Sequence, residues 1–402
     1  MPPATPFFTP PRRALVVVGL AFFTDMCLYY LLVPLLPQYA RDLRLSQMKV
    51  GVLFGSYAAA LLLVTVPLGL AVDRLGRKVP MLLGLGGLFA ATLLFAFSKD
   101  YTLLVVARAL QGIAGSATWV PGLALLTDHF PAERRGQAMA TCFAFANIGV
   151  LLGPPLSGLL AAHAGPLAPY LFGTALVALD FVLRLLWLDE VPAQARGRLP
   201  WRVLLRDRAI LTFAGALGAG AGLWALLEAT LPLHLDAAHG LGPRGIGLCF
   251  MAAAVAHTLT SPLMGRLSDR VGRRRVVMAG CAACLVTLPL PALAPSVPLV
   301  VASLVLLGAA ASLLMSPSSP GVADAVERLG TGDFGAGFSV LNIAYALGMM
   351  AGPYLGSALA EAFGFTAALG AAAVAVGAYG LLVRRVEERR EGGPEEGPAA
   401  AL

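Results

Sequence analysis

Charged residues are scarce in this chain of 402 residues. They make up 13% of the sequence, whereas hydrophobic residues make up 58% and the mean hydropathy is +0.79. A soluble domain carries about 25% charged residues, so the composition excludes a soluble protein and indicates a multi-pass membrane protein. Lysine is especially rare, with 3 residues against 26 arginines. An arginine bias of this kind indicates a GC-rich genome, and hence a bacterium.

Residue sets that perform chemistry are also lacking. The five cysteines all fall within apolar runs, and the CxxC formed by Cys281 and Cys284 has no histidine or acidic companion. We therefore expect packing residues rather than a metal or redox centre. There is no Ser/His/Asp set, metal cluster or phosphate loop, so we expect no enzyme activity, no cofactor and no bound metal.

Twelve apolar runs are long enough to cross a bilayer, which needs about 20 residues per helix. They span residues 14–37, 50–71, 80–98, 101–127, 137–161, 167–188, 209–233, 245–264, 276–294, 297–318, 335–359 and 364–383. The first is too long and too polar internally for a cleaved signal peptide, so we expect it to remain as a span. The predicted fold class is an all-α membrane protein with twelve transmembrane helices.

Basic residues are distributed very unequally between the two ends of these runs. With the N-terminus in the cytoplasm, 22 of the 29 Lys and Arg residues lie on the cytoplasmic side and five lie outside. This positive-inside bias predicts cytoplasmic N- and C-termini, in a bacterial inner (plasma) membrane. The net charge of +7 thus reflects topology in a lipid bilayer, and we expect no nucleic-acid partner.

An internal repeat divides the chain into two halves. The loop sequence GLAVDRLGRK (69–78) recurs as GRLSDRVGRRR (265–275), and GVLLGPPLSG (149–158) recurs as GMMAGPYLGS (348–357). Such repeats are typical of transporters whose site lies between pseudo-symmetric halves. We predict an N-terminal six-helix bundle (1–188), a cytoplasmic linker (189–208), a C-terminal six-helix bundle (209–385) and a disordered cytoplasmic tail (386–402), in a monomer.

The repeated loops and glycine motifs predict positions that control the conformational cycle. The charged loops should lock the cytoplasmic face in one state, while the glycines allow close helix approach and the prolines bend the helices. The predicted gating residues are Gly69, Asp73, Arg74, Gly76, Arg77, Asp269, Arg270, Gly272, Gly149, Gly153, Pro154, Gly352 and Pro353.

These motifs resemble the signatures of the major facilitator superfamily, including ARALQGIAG (107–115) in the fourth span. VPLLPQYARDL, FAFSKDYTLLVVARALQGIAGS and LLEATLPLHL are further similar to the vesicular monoamine and acetylcholine transporters and related drug:proton antiporters. The resemblance implies that Asp25 recognises the amine and that Glu228 is an acid of the same cavity. The family's lysine of the second span falls on Tyr57, and its C-terminal aspartates fall near Ala311 and on Asn342.

Five ionisable side chains lie well inside spans: Asp25, Arg108, Asp180, Arg184 and Glu228. Asp180 and Arg184 are four residues apart on one helix, so we expect a structural ion pair. Asp25 and Glu228 have no sequence-local partner, and a carboxyl group at bilayer depth is costly unless it has a function. A buried carboxyl group that holds either a proton or a cation would suffice for antiport. The resemblance places Arg108 in a proton-relay motif, and the alternative is a cross-link to backbone carbonyls.

An organic-cation site should also contain aromatic faces, because ring quadrupoles attract ammonium groups. The candidate binding residues are Tyr29, Tyr57, Trp119, Trp224, Phe338, Asn342, Tyr345 and His257. Each could instead be a packing or interface residue.

The favoured function is a proton-coupled antiporter that exports amines or lipophilic cationic drugs by alternating access. Its alternatives are a proton-coupled symporter for a neutral or anionic solute, with Arg108 as the anchor, and a receptor or scaffold without transport.

Overall fold

The computed structural model describes residues 10–188, 201–329 and 334–391, and every element in these ranges is a helix. The N-terminal half contains α1 (Pro10–Leu31), a 3₁₀ turn (Val33–Leu35), α2 (Leu36–Asp42), α3 (Gln47–Leu75), α4 (Lys78–Phe97), α5 (Tyr101–His129), α6 (Ala132–Ala164) and α7 (Ala168–Trp187). The C-terminal half follows the short α8 (Trp201–Leu204) and contains α9 (Arg208–His239), α10 (Pro243–Val271), α11 (Arg273–Thr287), α12 (Leu290–Leu293), α13 (Val297–Met315), α14 (Ser318–Arg328), α15 (Phe334–Phe363) and α16 (Phe365–Glu391).

Twelve segments in the described ranges are long and apolar enough to cross a membrane, which confirms the predicted span count. Three of these spans consist of two helices each, because α1 and α2, α11 and α12, and α13 and α14 follow one another along the chain. Prolines at the junctions, such as Pro34 and Pro317, lack the amide hydrogen that would continue a helix. The tenth span is longer than predicted, since it continues from Val297 to Arg328.

The predicted boundaries of the linker and the tail differ slightly from the helix boundaries in the structure. Residues 189–200 of the linker and 392–402 of the tail lie outside the described residues. Within the described part, α9 begins at Arg208, and α16 stays helical to Glu391. The first six residues of the predicted disordered tail are therefore helical, because Glu and Arg are good helix formers.

Glycines hold α6 against α1 in the N-terminal half and α15 against α9 in the C-terminal half. A Cβ atom on Gly149 would lie 2.6 Å from the Phe23 carbonyl oxygen, and one on Gly153 would lie 2.8 Å from Tyr30 Cβ. In the other half, Gly348 and Gly352 lie directly against backbone carbonyls of α9. Only glycine permits backbones to approach this closely, so the two motifs fix the helices that carry the site.

The two halves contact each other on the side of the bundle opposite the chain termini, which we call the distal side. There Gly51 of α3 packs on the Pro353 carbonyl of α15, and Gly247 of α10 packs on the Pro154 carbonyl of α6. Gln47 adds a hydrogen bond across the halves to a backbone carbonyl of α9 at 3.0 Å. The distal side is therefore closed.

The side on which α1 begins and α16 ends, which we call the terminal side, has a different character. A Cβ atom placed on Gly69 of α3 or on Gly265 of α10 would have no atom of another element within 4 Å among the described residues. Gly76 and Gly272 end these helices with φ of 79° and 98°, conformations that favour glycine. The side chains of Asp73 and Arg74 lie outside the described part of the structure. The halves are thus closed distally and lack these contacts on the terminal side.

Candidate substrate and proton site

Asp25 lies on α1, in the middle of the first span (Pro11–Asp42), and is 2% exposed. Trp119 of α5 donates its indole N–H to Asp25 Oδ2 at 2.7 Å, and the Tyr57 hydroxyl of α3 donates to the same oxygen at 3.3 Å. Oδ1 accepts no hydrogen bond from any residue in the described ranges. One carboxyl oxygen is therefore oriented by the protein, and the other is available to a proton or a ligand.

The Trp119 ring is fixed by aromatic neighbours. Its centroid lies 3.9 Å from that of Phe22, with 13° between the planes, and 6.0 Å from that of Phe143. Trp119 itself is partly exposed, whereas Phe22 is fully buried. The stack orients the indole N–H toward Asp25 and places an aromatic surface next to the carboxyl group.

Glu228 of α9 is 1% exposed and joins the two halves. The Tyr29 hydroxyl donates to its Oε2 at 2.8 Å, and the Tyr30 hydroxyl donates to its Oε1 at 2.6 Å. Pro232 follows Glu228 by four residues and cannot donate to the Glu228 carbonyl, which weakens the helix at this point. Tyr29 follows Asp25 by four residues on α1, and its hydroxyl bonds Glu228, one turn closer to the distal side.

Arg108 of α5 is fully buried among aromatic rings. Its guanidinium carbon lies 4.3, 4.7 and 5.4 Å from the ring centroids of Tyr29, Phe54 and Tyr57, within the range of cation–π attraction. It donates to Gln111 Oε1 at 2.9 Å and to the Tyr29 carbonyl at 3.4 Å. No carboxylate of the described residues lies within 4 Å of it, so its charge acts on the buried acids only through space.

Asp180 and Arg184 of α7 form a two-point ion pair, with N–O distances of 2.6 and 3.0 Å and no exposure. Arg184 also donates to the Met81 carbonyl of α4 at 3.1 Å and to the Thr118 hydroxyl of α5 at 3.4 Å. The pair therefore ties three helices together within the N-terminal half. Thr118 precedes Trp119 on α5, so the ion pair contacts the segment of α5 that bonds Asp25.

The candidates of the C-terminal half form no comparable cluster around a carboxyl group. Trp224 and His257 meet edge to face at 5.8 Å, and His257 Nδ1 has no hydrogen-bond partner among the described residues. Tyr345 of α15 is partly buried and packs against the hydrophobic core. Asn342 and Phe338 lie about one and two turns from Tyr345 toward the terminal side of α15, and Asn342 is exposed.

Several residues of the site were not predicted from the sequence. Tyr30 and Gln111 bond the buried charges directly, while Phe22, Phe54 and Phe143 shape their surroundings. Tyr30 could have been found, because it neighbours Tyr29 and a helix can direct both rings to one partner. The phenylalanines had no signal, since an apolar ring within a span has no feature that distinguishes it from packing residues.

Among the residues in the described ranges, no group of three or more His, Cys, Asp or Glu side chains is positioned to hold a metal ion. The site consists of two carboxyl groups, one guanidinium and their aromatic surroundings. Such an arrangement can bind cations and protons reversibly.

Comparison with known proteins agrees with this architecture. The sequence model of the Major Facilitator Superfamily matches residues 18–242 and 220–401. A solved structure of a bacterial homolog of the human lysosomal transporter Spinster, inward-facing and unoccupied, superposes with a TM-score of 0.81 at 14% identity. That match covers 96% of this chain and 99% of the other, and it supports the fold.

Two relatives have higher sequence identity. The synaptic vesicular amine transporter of Bos taurus is 31% identical over 333 residues, which cover 82% of this chain and 64% of the relative. The vesicular acetylcholine transporter of Homo sapiens is 32% identical over 334 residues, covering 80% of this chain and 62% of the relative. The matched region is thus less than two thirds of either relative, and the predicted resemblance to these transporters is confirmed. With the family model matching both halves, this chain belongs to the major facilitator superfamily and is a multi-pass integral membrane protein.

Proposed function

We propose that this protein is a proton-coupled antiporter that exports organic cations, either amines or lipophilic cationic drugs, by alternating access. The observation that carries the proposal is the free oxygen of Asp25. Two donors hold Oδ2, while Oδ1 is left for a proton or an ammonium group beside the Trp119 stack. The relatives named for amine and acetylcholine transport support a small organic cation as the substrate.

The formal charges of the buried site support competition between a proton and a monovalent cation. When both carboxyl groups are ionised, Asp25, Glu228 and Arg108 sum to minus one, since Asp180 and Arg184 neutralise each other. One proton or one organic cation restores neutrality, whereas both together leave an excess positive charge in a low-dielectric site. The two ligands should therefore bind in turn.

Glu228 has a different role in this state. Both of its oxygens already accept hydrogen bonds from α1, so it has less capacity for substrate than Asp25. We assign it to the closure of the distal side, with Tyr29 and Tyr30 as its partners. A proton on Glu228 would weaken that closure, because a hydrogen bond to a charged acceptor is about twice as strong as a neutral one.

The direction of transport depends on how the protein is oriented in the membrane. The excess of basic residues on the terminal side favours a cytoplasmic location for that side. A distally closed molecule would then accept its cation from the cytoplasm. Arg108 fits a proton-coupling role better than that of an anion anchor, since it is fully buried against three aromatic rings.

The test uses proteoliposomes with an acidic lumen and a pH-sensitive dye inside. Addition of an arylalkylamine or a quaternary ammonium outside should alkalinise the lumen of vesicles with wild-type protein. Symport of the added cation with a proton would acidify the lumen, whereas a symporter that accepts only neutral or anionic solutes, a receptor or a scaffold would leave the signal unchanged. Asp25→Asn should abolish the response.

Asp207→Asn is the matched control, because asparagine caps a helix as well as aspartate and Asp207 caps α9 far from the site. Full cation-driven proton release by Asp25→Asn would remove Asp25 from the mechanism and overturn the proposal.

A further inference from the structure

A cavity of about 580 Å³ opens on the terminal side of the C-terminal half, away from the candidate transport site. It lies between the beginnings of α9 and α11 and the ends of α10 and α14. Its charged lining residues are Asp269, Arg270, Arg273, Arg274, Arg275, Asp324 and Arg328. Five arginines face two aspartates there, so the cavity has a formal excess of three positive charges.

The internal repeat provides a comparison within the same molecule. Arg77 and Asp128 in the N-terminal half are 51 residues apart, as are Arg273 and Asp324 at the equivalent positions of the other half. The N-terminal ion pair is buried, with side chains 5% and 1% exposed. The C-terminal ion pair is also formed but is accessible to solvent, with side chains 21% and 53% exposed. A buried junction of the first half thus corresponds to an accessible one in the second.

Two of the cavity's arginines have no basic counterpart in the repeat. With the same offset, Arg275 corresponds to Val79 and Arg328 corresponds to Ala132. Both arginines are exposed, and neither has an ion-pair partner among the described residues. The extra charge is therefore specific to this cavity and goes beyond what the repeated loop requires.

The two aspartates of the cavity share a single arginine. Arg273 donates to Asp324 Oδ2 at 2.5 Å and to Asp269 Oδ1 at 2.9 Å. One guanidinium therefore serves both carboxylates, and Arg270, Arg275 and Arg328 remain uncompensated. Guanidinium groups match phosphate oxygens in geometry and charge, and basic pockets between helix ends recognise phosphorylated lipid headgroups.

We propose that this cavity is a binding site for a phosphate-bearing anion, supplied by an anionic phospholipid headgroup or by a soluble phosphate. The site is independent of the proposed transport reaction, because none of its arginines contacts Asp25 or Glu228. Its size and its apolar lining by Phe213 and Val271 accommodate more than a bare ion.

The test compares the wild type with the double variant Arg275→Val/Arg328→Ala, which restores the residues of the N-terminal repeat. Native mass spectrometry counts retained cardiolipin and phosphatidylglycerol against phosphatidylcholine, and calorimetry measures inorganic phosphate and pyrophosphate binding in lipid-free detergent. An arginine near such a headgroup contributes about fivefold in affinity, so the double variant should bind about 25-fold more weakly. Loss of lipid retention alone identifies a headgroup, and loss of pyrophosphate binding identifies a soluble ligand.

The matched control is Arg134→Gln/Arg206→Gln, two exposed arginines of the terminal side outside the cavity. Thermal unfolding without ligand checks that both double variants fold. Equal anion binding by the wild type and the cavity variant overturns the proposal, as does an equal loss in the control variant. Retention of phosphatidylcholine to the same extent as cardiolipin also overturns it, because the site would then show no preference for net negative charge.

Discussion

The hydrogen bonds from Tyr29 and Tyr30 to Glu228 should control how often the distal side opens. Both hydroxyls belong to α1 and the carboxyl group belongs to α9, so they bridge the two halves at 2.8 and 2.6 Å. Opening of the distal side must separate these helices. Tyr30→Phe removes the shorter bond and keeps the aromatic ring, so the change in packing is small.

The size of the effect follows from the environment of Glu228, which is 1% exposed. A hydrogen bond to a charged group contributes about 1.5–3 kcal/mol to stability. Loss of one bond from the closed state should therefore raise the ratio of distally open to distally closed molecules by about 10- to 150-fold. At acidic pH, where Glu228 is neutral, the contribution should fall to about 0.5–1.5 kcal/mol.

Distance measurement by double electron–electron resonance can test this. Lys99 and Ala238 are exposed on the distal side of the two halves, and the five native cysteines are all buried. Cysteines introduced at these two positions can therefore be spin-labelled selectively. At alkaline pH, Tyr30→Phe should shift the distance distribution toward longer separations.

Tyr39→Phe is the matched control, since its hydroxyl donates to the Phe95 carbonyl at 3.1 Å within the N-terminal half. Glu228→Gln should also shift the distribution, and adding Tyr30→Phe to it should have less effect than in the wild type. If Tyr30→Phe and Tyr39→Phe give the same distances, or if the two changes at Tyr30 and Glu228 are additive, the bridge does not control opening.

Three further predictions concern the site and its support. As the pH is lowered through the acidic range where Asp25 takes up a proton, the affinity for an organic cation should fall by about tenfold per pH unit, because one proton competes with the ligand. Equilibrium binding from pH 5 to 8 measures this, and a flat profile contradicts it. Asp180→Asn should lower the free energy of unfolding by about 3–5 kcal/mol, because it leaves the Arg184 charge unpaired, and the Asp180→Asn/Arg184→Gln variant should lose less. Thermal unfolding measures both losses, and a larger loss in the double variant would refute the reasoning. Gly112→Ala should destabilise the protein by about 1–3 kcal/mol, because a Cβ there would overlap a backbone carbonyl of α3. Gly86→Ala should not lower Tm, because its new Cβ would have no atom within 4 Å.

The fold could be predicted from the sequence because each helix that crosses a membrane needs a run of about 20 apolar residues. Runs of apolar residues set the number of membrane spans, and the twelve spans agree with the structure. The breaks within spans were not predicted, as at Pro317 between α13 and α14. A proline inside a run can kink a continuous helix or end it, and the choice depends on packing that the sequence does not specify.

The site was accessible only in part. Asp25, Arg108 and Glu228 stood out because a charge at bilayer depth requires a reason. Their partners did not, since Tyr29 and Tyr30 are directed to Glu228 by the approach of α9, which lies about 200 residues later in the chain. Hydrogen bonds between the halves depend on the conformational state, and one sequence encodes several states.

The unequal bonding of the two acids has a consequence for the transport cycle. In this conformation Asp25 has a free oxygen and Glu228 has none, although both are buried to the same degree. Separation of α1 from α9 would release both oxygens of Glu228 and leave the bonds of Asp25 intact, because Tyr57 and Trp119 belong to the same half as Asp25. We therefore expect Asp25 to remain available throughout the cycle and Glu228 to become available only when the distal side opens. A proton or cation on Glu228 would then hold the molecule open, and its departure would allow closure.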